Sequence, residues 1–282
     1  MIVPNTVQTA EAVARHYDTL DRFYREIWGE HVHHGLWRTG RESPELAVES
    51  LVSLVAERLA LAPGQAVCDV GCGYGATARL LADRYGCDVV GLTLSAAQLA
   101  HAEGRYPRAN PKLMRQDWLA NEFGPATFDA VFSIESSEHM VDKDRFFAEA
   151  ARTLKPGGRF ATCVWLSAEN PGPTSVRYLL EPICREGRLP SMGSESEYRA
   201  MMARAGLEVT SFEDLTPYVW RTWAICLAKA AKGIVTQRSY RTFVFDGRNS
   251  DRNFAITLLR ILLAYRLGAM RYGLFAARKS GP

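Results

Sequence analysis

The sequence predicts an α/β fold: an open, mostly parallel sheet with helices on both faces. Two observations predict it. From residue 66 onward, short apolar runs alternate with stretches of helical periodicity, the pattern of a doubly wound sheet. The first of those runs, Ala66–Val70, also leads straight into Gly71-Cys72-Gly73-Tyr74-Gly75 before a helical pattern opens at Ala76. A buried strand, a turn that can take positive φ and a helix N-terminus with unpaired N–H groups together make a place for a nucleotide-like ligand.

Ahead of the sheet, Val13, Tyr17, Leu20, Tyr24 and Ile27 recur at spacings of three and four, predicting a helix over 11–27. Ser43 caps a second helix over 43–59, with Pro44 at its first position and Glu45 in its first turn. These helices form a lid, residues 1–60, on a core of residues 61–282. In the core, strands are expected at 66–70, 88–92, 112–116, 128–133, 159–166, 207–214 and 272–278. Helices are expected at 76–85, 95–105, 143–154 and 196–205, with a tight turn at 155–158. Two insertions interrupt the alternation. The first, about 167–200, is rich in Pro, Gly and Ser; the second, 216–270, reads mostly helical.

Composition is that of an ordinary globular protein, with 282 residues, 47% hydrophobic and 23% charged. The six cysteines form no CxxC pair and read as reduced core residues of a cytoplasmic protein. No secretory h-region is visible in the first 25 residues, and no uncharged run is long enough to span a bilayer. Net charge is only +3, but from Arg221 onward twelve Lys/Arg face only Asp246 and Asp251. A basic C-terminal segment on an acidic body suggests a surface that meets anions, whether lipid headgroups or a phosphorylated substrate.

Gly71-x-Gly73-x-x-Ala76 satisfies a loose dinucleotide fingerprint, so NAD is a candidate ligand. That fingerprint wants an acid at the end of the second strand, and here the strand ends in Thr93. Instead, Asp69 precedes the first glycine and Gly75 follows the second. Asp-x-Gly-x-Gly-x-Gly resembles the nucleotide motif of S-adenosyl-L-methionine (SAM)-dependent methyltransferases. On that reading Gly71 and Gly73 leave room for the methionine part and Asp69 accepts from its amino group. Thr93 and Gln98 meet the ribose hydroxyls, as in a subgroup whose Gly-Leu-Thr-Leu-Ser-x-x-Gln segment this chain resembles. Asp117 accepts from the adenine amine, with Trp118 against the ring; core packing is the alternative for Trp118. Glu135 lies on the edge of the same crevice.

Two longer segments narrow the resemblance. Phe23–Gly35, containing Trp28-Gly29-Glu30-His31-Val32-His33-His34-Gly35, and Ser133–Lys143, containing Glu135-Ser136-Ser137-Glu138-His139, look like segments of the γ-tocopherol methyltransferase family. The resemblance continues through Leu189-Pro190-Ser191 and covers most of the chain. It implies the class I methyltransferase fold, with six parallel strands and one late antiparallel strand. It also implies SAM as cofactor and a hydrophobic small-molecule acceptor, foremost a prenylated phenol or quinol methylated at carbon. Terpenoid, prenyl diphosphate or indole-type acceptors, or transfer to nitrogen or oxygen, are the alternatives. Nucleic acid is not expected as a partner, since Ile134-Glu135-Ser136-Ser137 stands where Asp/Asn-Pro-Pro-aromatic would.

Glu138 and His139 are the candidate catalytic residues. A base that takes a phenolic proton pushes electron density to the ortho carbon, and a carboxylate can stabilise a developing carbocation. The His31/His33/His34 cluster invites a metal reading, but its spacing does not set three ligands on one helical face, so no metal is assigned. A lid is favoured, with His33 or Tyr17 at the methionine end of SAM. Finally, the apolar stretch from Phe254 to Leu267 carries Arg260 and Arg266, with Arg252 and Arg271 flanking it. These arginines are expected on one helical arc. Such a helix can close the acceptor pocket, lie on a membrane surface or clamp a prenyl diphosphate.

Overall fold

The computed structural model describes residues 1–105, 107–246 and 254–280. Two helices come first, α1 (Ala10–Ile27) and α2 (Pro44–Arg58). The alternating part follows as β1 (Ala66–Val70), α3 (Ala76–Tyr85), β2 (Asp88–Thr93), α4 (Ala96–Arg105), β3 (Lys112–Arg115), β4 (Phe128–Ile134), α5 (Lys143–Thr153) and β5 (Leu154–Ser167). Next come α6 (Pro173–Ser175), a π-helical turn (Val176–Leu180), α7 (Glu181–Glu186), α8 (Glu195–Arg204) and β6 (Leu207–Asp214). Helices α9 (Thr216–Val219), α10 (Arg221–Thr236), α11 (Arg238–Phe245) and α12 (Phe254–Arg266) lead to β7 (Met270–Lys279).

The seven strands form one sheet in the order β3-β2-β1-β4-β5-β7-β6, with only β7 antiparallel to its neighbours. This is the class I arrangement the sequence implied. Strand order reverses between β1 and β4, so the crevice for a ligand opens beyond their carboxyl ends. Side-chain alternation sorts the core onto two faces. Val67, Ala130, Phe132, Ala161 and Cys163 share one apolar cluster with Leu51, Val52 and Val55 of α2 and Leu258 and Ile261 of α12. Cys68, Val131, Phe160 and Val164 share the other with Phe146 and Phe147 of α5 and Tyr198 of α8.

The caps read from sequence are present: Ser43 accepts from Leu46 N–H, and Ser95 Oγ accepts from Gln98 N–H. Two boundaries differ by more than one residue, the starts of β5 and β7. Strand β5 starts at Leu154, because Pro156–Gly158 forms an irregular opening of the strand, with Gly157 at φ +71°. Arg271 lies on β7 and bonds Asp214, so it shares no helical arc with Arg260 and Arg266; the chain turns at Gly268 before reaching it. Arg252 lies outside the described residues. Among the described residues no helix is long and apolar enough to cross a membrane.

Candidate active site

Two cavities meet at the carboxyl ends of β1 and β4. Tyr17, Val32, Glu135 and His139 line both, so these four residues stand on the border.

The first cavity is walled by the glycine turn and by the ends of β2, β3 and β4. A side chain at Gly71 would run into Ser136 at 2.2 Å, so this glycine lets the β1 and β4 loops touch. Gly73 is different. It has φ +55°, and a Cβ there would meet nothing closer than Gln98 Nε2 at 4.0 Å, so the bare backbone faces open cavity. Opposite, Thr93 Oγ1 donates to Gln98 Oε1 at 2.7 Å, which leaves the Gln98 amide nitrogen toward Gly73. Asp117 lines the wall and caps the following 3-10 turn by accepting from Leu119 N–H (2.9 Å). Trp118 touches the cavity but is chiefly core, its Nε1–H donating to the Phe146 carbonyl.

Two of the expected cofactor residues do not line this cavity. Asp69 does not line the cavity. It is buried under the turn with Oδ2 unpartnered, and burial pushes its carboxyl up to about 8. His33 also misses this cavity. His31 and His33 turn to one side, with His31 Nδ1 3.3 Å from both His33 Nε2 and Thr77 Oγ1; Val32 and His34 turn to the other. Alternation along the loop thus sends Val32 to the place expected for His33, and divides the three imidazoles between two sides. Gln116 was not foreseen. It lines the cavity with a buried, unpartnered Oε1. Its position directly before Asp117, at the end of a strand, was the available signal.

The second cavity has aromatic walls, Tyr24, Trp28, Trp165 and Trp223 among them. Its floor is the segment after β4. His139 Nδ1–H donates to the Arg188 carbonyl (3.3 Å), so Nε2 is the acceptor for the Tyr17 hydroxyl (2.9 Å). Burial holds this imidazole down to about 4. Glu138 accepts the Trp165 N–H on Oε1 (2.7 Å) and the Ser137 hydroxyl on Oε2 (3.3 Å). Burial, and then the nearby Glu135, push it up to about 8. Beside it, Lys143 Nζ donates to the Glu138 and Met140 carbonyls.

Glu135 was expected at the cofactor, but its oxygens are engaged elsewhere. Oε1 accepts from His34 N–H (2.7 Å) and the Tyr272 hydroxyl (2.7 Å), and lies 2.8 Å from His34 Nδ1; Oε2 accepts from Trp165 Nε1–H (3.0 Å). Burial alone would raise this carboxyl, but His34 and His33 more than reverse that, down to about 2. Trp223 Nε1–H donates to His34 Nε2, so the neutral ring carries its proton on Nδ1, the nitrogen beside Glu135. Glu135 holds the φ +56° turn after β4 and ties the lid loop to β5 and β7.

Helix α1 roofs the first cavity with Val13 and Tyr17. Its Asp18 accepts from the Ser95 hydroxyl (2.5 Å) and Ala97 N–H (3.1 Å), at the start of α4. Its Asp21 accepts the hydroxyl of Tyr74, from within the glycine turn, at 2.8 Å.

The protein-family description "Mycolic acid cyclopropane synthetase" matches residues 5–256. The chain belongs to this family. Its relatives include the tocopherol O-methyltransferase of Arabidopsis thaliana (28% identical, 98% of this chain and 84% of the relative). Another is the 2-methyl-6-phytyl-1,4-hydroquinone methyltransferase of Synechocystis sp. (29%, 96% and 88%). The cyclopropane synthase MmaA2 of Mycobacterium tuberculosis shares the fold, with a TM-score of 0.81 at 22% identity over 98% of this chain and 100% of that one. This member of the cyclopropane synthetase family is thus a SAM-dependent methyltransferase.

Proposed function

We propose that this methyltransferase acts on a prenylated phenol or quinol and transfers the methyl group to a ring carbon. The observation that carries the reading is the Tyr17–His139 pair on the border of an aromatic-walled cavity. A phenol has a proton to lose, and His139 Nε2 is a fixed, unprotonated acceptor at the place where the two cavities meet.

The first cavity fits SAM. The bare face at Gly73 leaves space that a side chain would fill, and Gln116 Oε1 is a buried acceptor awaiting a donor. Gln116 and Asp117 would take the adenine amine, Thr93 and Gln98 the ribose, and Gly71 and Gly73 the methionine portion. Asp69 would act from beneath, shaping the turn. When bound, SAM supplies an activated methyl group on a sulfonium.

The protein's own residues do the remainder. Tyr24, Trp28, Trp165 and Trp223 hold the apolar ring and tail and keep water out. His139 Nε2 takes the phenolic proton, directly or through the Tyr17 hydroxyl, and electron density moves to the ortho carbon. Glu138, in its ionised form, takes the proton that leaves the methylated ring carbon as aromaticity returns. Two relatives whose names carry tocopherol and a phytyl hydroquinone support this acceptor class.

Methyl-labelled SAM, offered with prenylated hydroquinones and separately with terpenoids, tests it. Label on an aromatic carbon, located by NMR, is the expected result. Label only on oxygen or on an isoprenoid carbon overturns it.

The membrane contact we propose rests on α12. Its inner residues Leu258 and Ile261 wall the acceptor cavity, and its outer Ile256, Leu259 and Leu263 are exposed. An apolar acceptor dissolved in lipid would have a short path through this helix face.

A further inference from the structure

Resting on the second cavity as the acceptor site, we infer that Glu186 is a charge filter that restricts the acceptor to uncharged molecules and excludes prenyl diphosphates. Among the described residues, no lysine or arginine lines this cavity, whereas Glu135, Glu138 and Glu186 do. The nearest candidate for an anion clamp was Arg260, which lies between cavity residues Leu258 and Ile261 on α12. Its guanidinium is already committed. Arg260 Nη1 donates to both carboxylate oxygens of Glu186, and Thr257 Oγ1 donates to Oε2 at 2.5 Å.

Glu186, the last residue of α7, is mostly buried, so the pair sits at the cavity wall and is poorly screened. The other C-terminal cation expected to help, Arg271, is held by Asp214 (2.8 Å) and Glu195 (3.4 Å) on β7. A diphosphate entering this cavity would find no uncommitted guanidinium among the described residues lining it. It would face the ionised Glu135 across a low-dielectric space. An uncharged quinol or phenol meets none of this opposition, and its ring is suited to the four aromatic walls. Glu186 therefore cancels Arg260, and its Oε1 also lies 3.6 Å from Arg185 Nη2, so the ionised Glu135 sets the sign of the charge this cavity shows an anion.

Calorimetry on the full chain saturated with S-adenosyl-L-homocysteine tests this, with geranyl hydroquinone and geranyl diphosphate as probes, each with and without Mg²⁺. The quinol is expected to bind, and the diphosphate about 100-fold more weakly whether or not Mg²⁺ is present. Glu186→Gln frees Arg260 and should strengthen diphosphate binding about tenfold or more. Adding Arg260→Gln should remove that gain, which a mere change of packing would not do. Affinity for S-adenosyl-L-homocysteine reports that each variant is folded. Wild-type binding of the diphosphate as tight as that of the quinol overturns the filter, as does a Glu186→Gln variant with no gain. If geranyl hydroquinone fails to bind but Glu186→Gln still gains diphosphate affinity, the quinol reading falls and the filter stands.

Discussion

The hydroxyl of Tyr17 lies 2.9 Å from Nε2 of His139, joining a helix at the start of the chain to the loop after β4 at the border of two cavities. Each partner's role is fixed by the rest of the structure. The Arg188 carbonyl takes the Nδ1 proton, so the Tyr17 hydroxyl donates and His139 accepts. Removing the acceptor should matter more than removing the hydroxyl. His139→Ala is expected to cut single-turnover methyl transfer by about 100-fold or more, and Tyr17→Phe by less. Unchanged single-turnover rates in His139→Ala would exclude it as the base.

The pH profile separates the two catalytic candidates. His139, depressed to about 4, is neutral across the ordinary range and should contribute only an acid limb near that value. Glu138, raised to about 8, must lose its proton to act as a base, so the rate should climb through about pH 8 and then level. Stability should move the other way. The unfolded Glu138 ionises near 4.5 while the folded one keeps its proton to about 8, so its contribution falls as pH rises between those values. Asp69 adds a fall of the same sign. In Glu138→Gln, the alkaline climb in rate should vanish and the loss of stability between pH 5 and 8 should shrink, as read by denaturant titration.

Gly73→Val should abolish cofactor binding while leaving a cooperatively folded protein. The backbone there already takes φ +55°, so any side chain carries a strain of about 1 kcal/mol. The larger effect comes from the Val side chain filling the cavity. Calorimetry with S-adenosyl-L-homocysteine checks this; an unchanged affinity would remove the cofactor assignment.

Loss of the Glu135 carboxylate should be costly to folding. It leaves the donors of His34, Trp165 and Tyr272 unpaired in the interior, and Glu135→Ala is expected to destabilise by about 3 kcal/mol. Chemical denaturation measures it, and a loss within error would mean that the network relaxes around the gap.

Sedimentation with lipid vesicles tests the outer face of α12. Leu259→Glu with Leu263→Glu should reduce binding, since both side chains are exposed. Neutralising Arg260 should change it little, because that guanidinium is spent on Glu186. Equal sedimentation of the double variant and the wild type would exclude this face as the contact.

Much of the fold could be read in the sequence because its signals are local. Period-two and helical runs, the caps Ser43 and Ser95 and the glycine turn each report on a few adjacent residues. The wall of the first cavity was legible too, since Gly71, Gly73, Thr93 and Asp117 sit at or just past strand ends and Gln98 lies in the first turn of α4. What escaped depends on distant partners. Nothing near Glu135 signals that His34, Trp165 and Tyr272 converge on it from three other segments. His33 was misplaced because an irregular loop gives no clue to which of its alternating side chains faces inward. Arg271 was expected on a helix because its spacing of eleven from Arg260 is close to three whole turns, while Gly268 turns the chain into β7.

The bond from Tyr74 to Asp21 has a kinetic consequence. Tyr74 belongs to the very turn that would grip the cofactor, and Asp21 belongs to the helix that roofs it; Asp18 fastens the same helix to α4. Release of the spent cofactor is therefore expected to need α1 to give up both anchors together, and that step rather than bond making should pace repeated turnover. A first-cycle burst, faster than the steady state, is how such pacing would show itself.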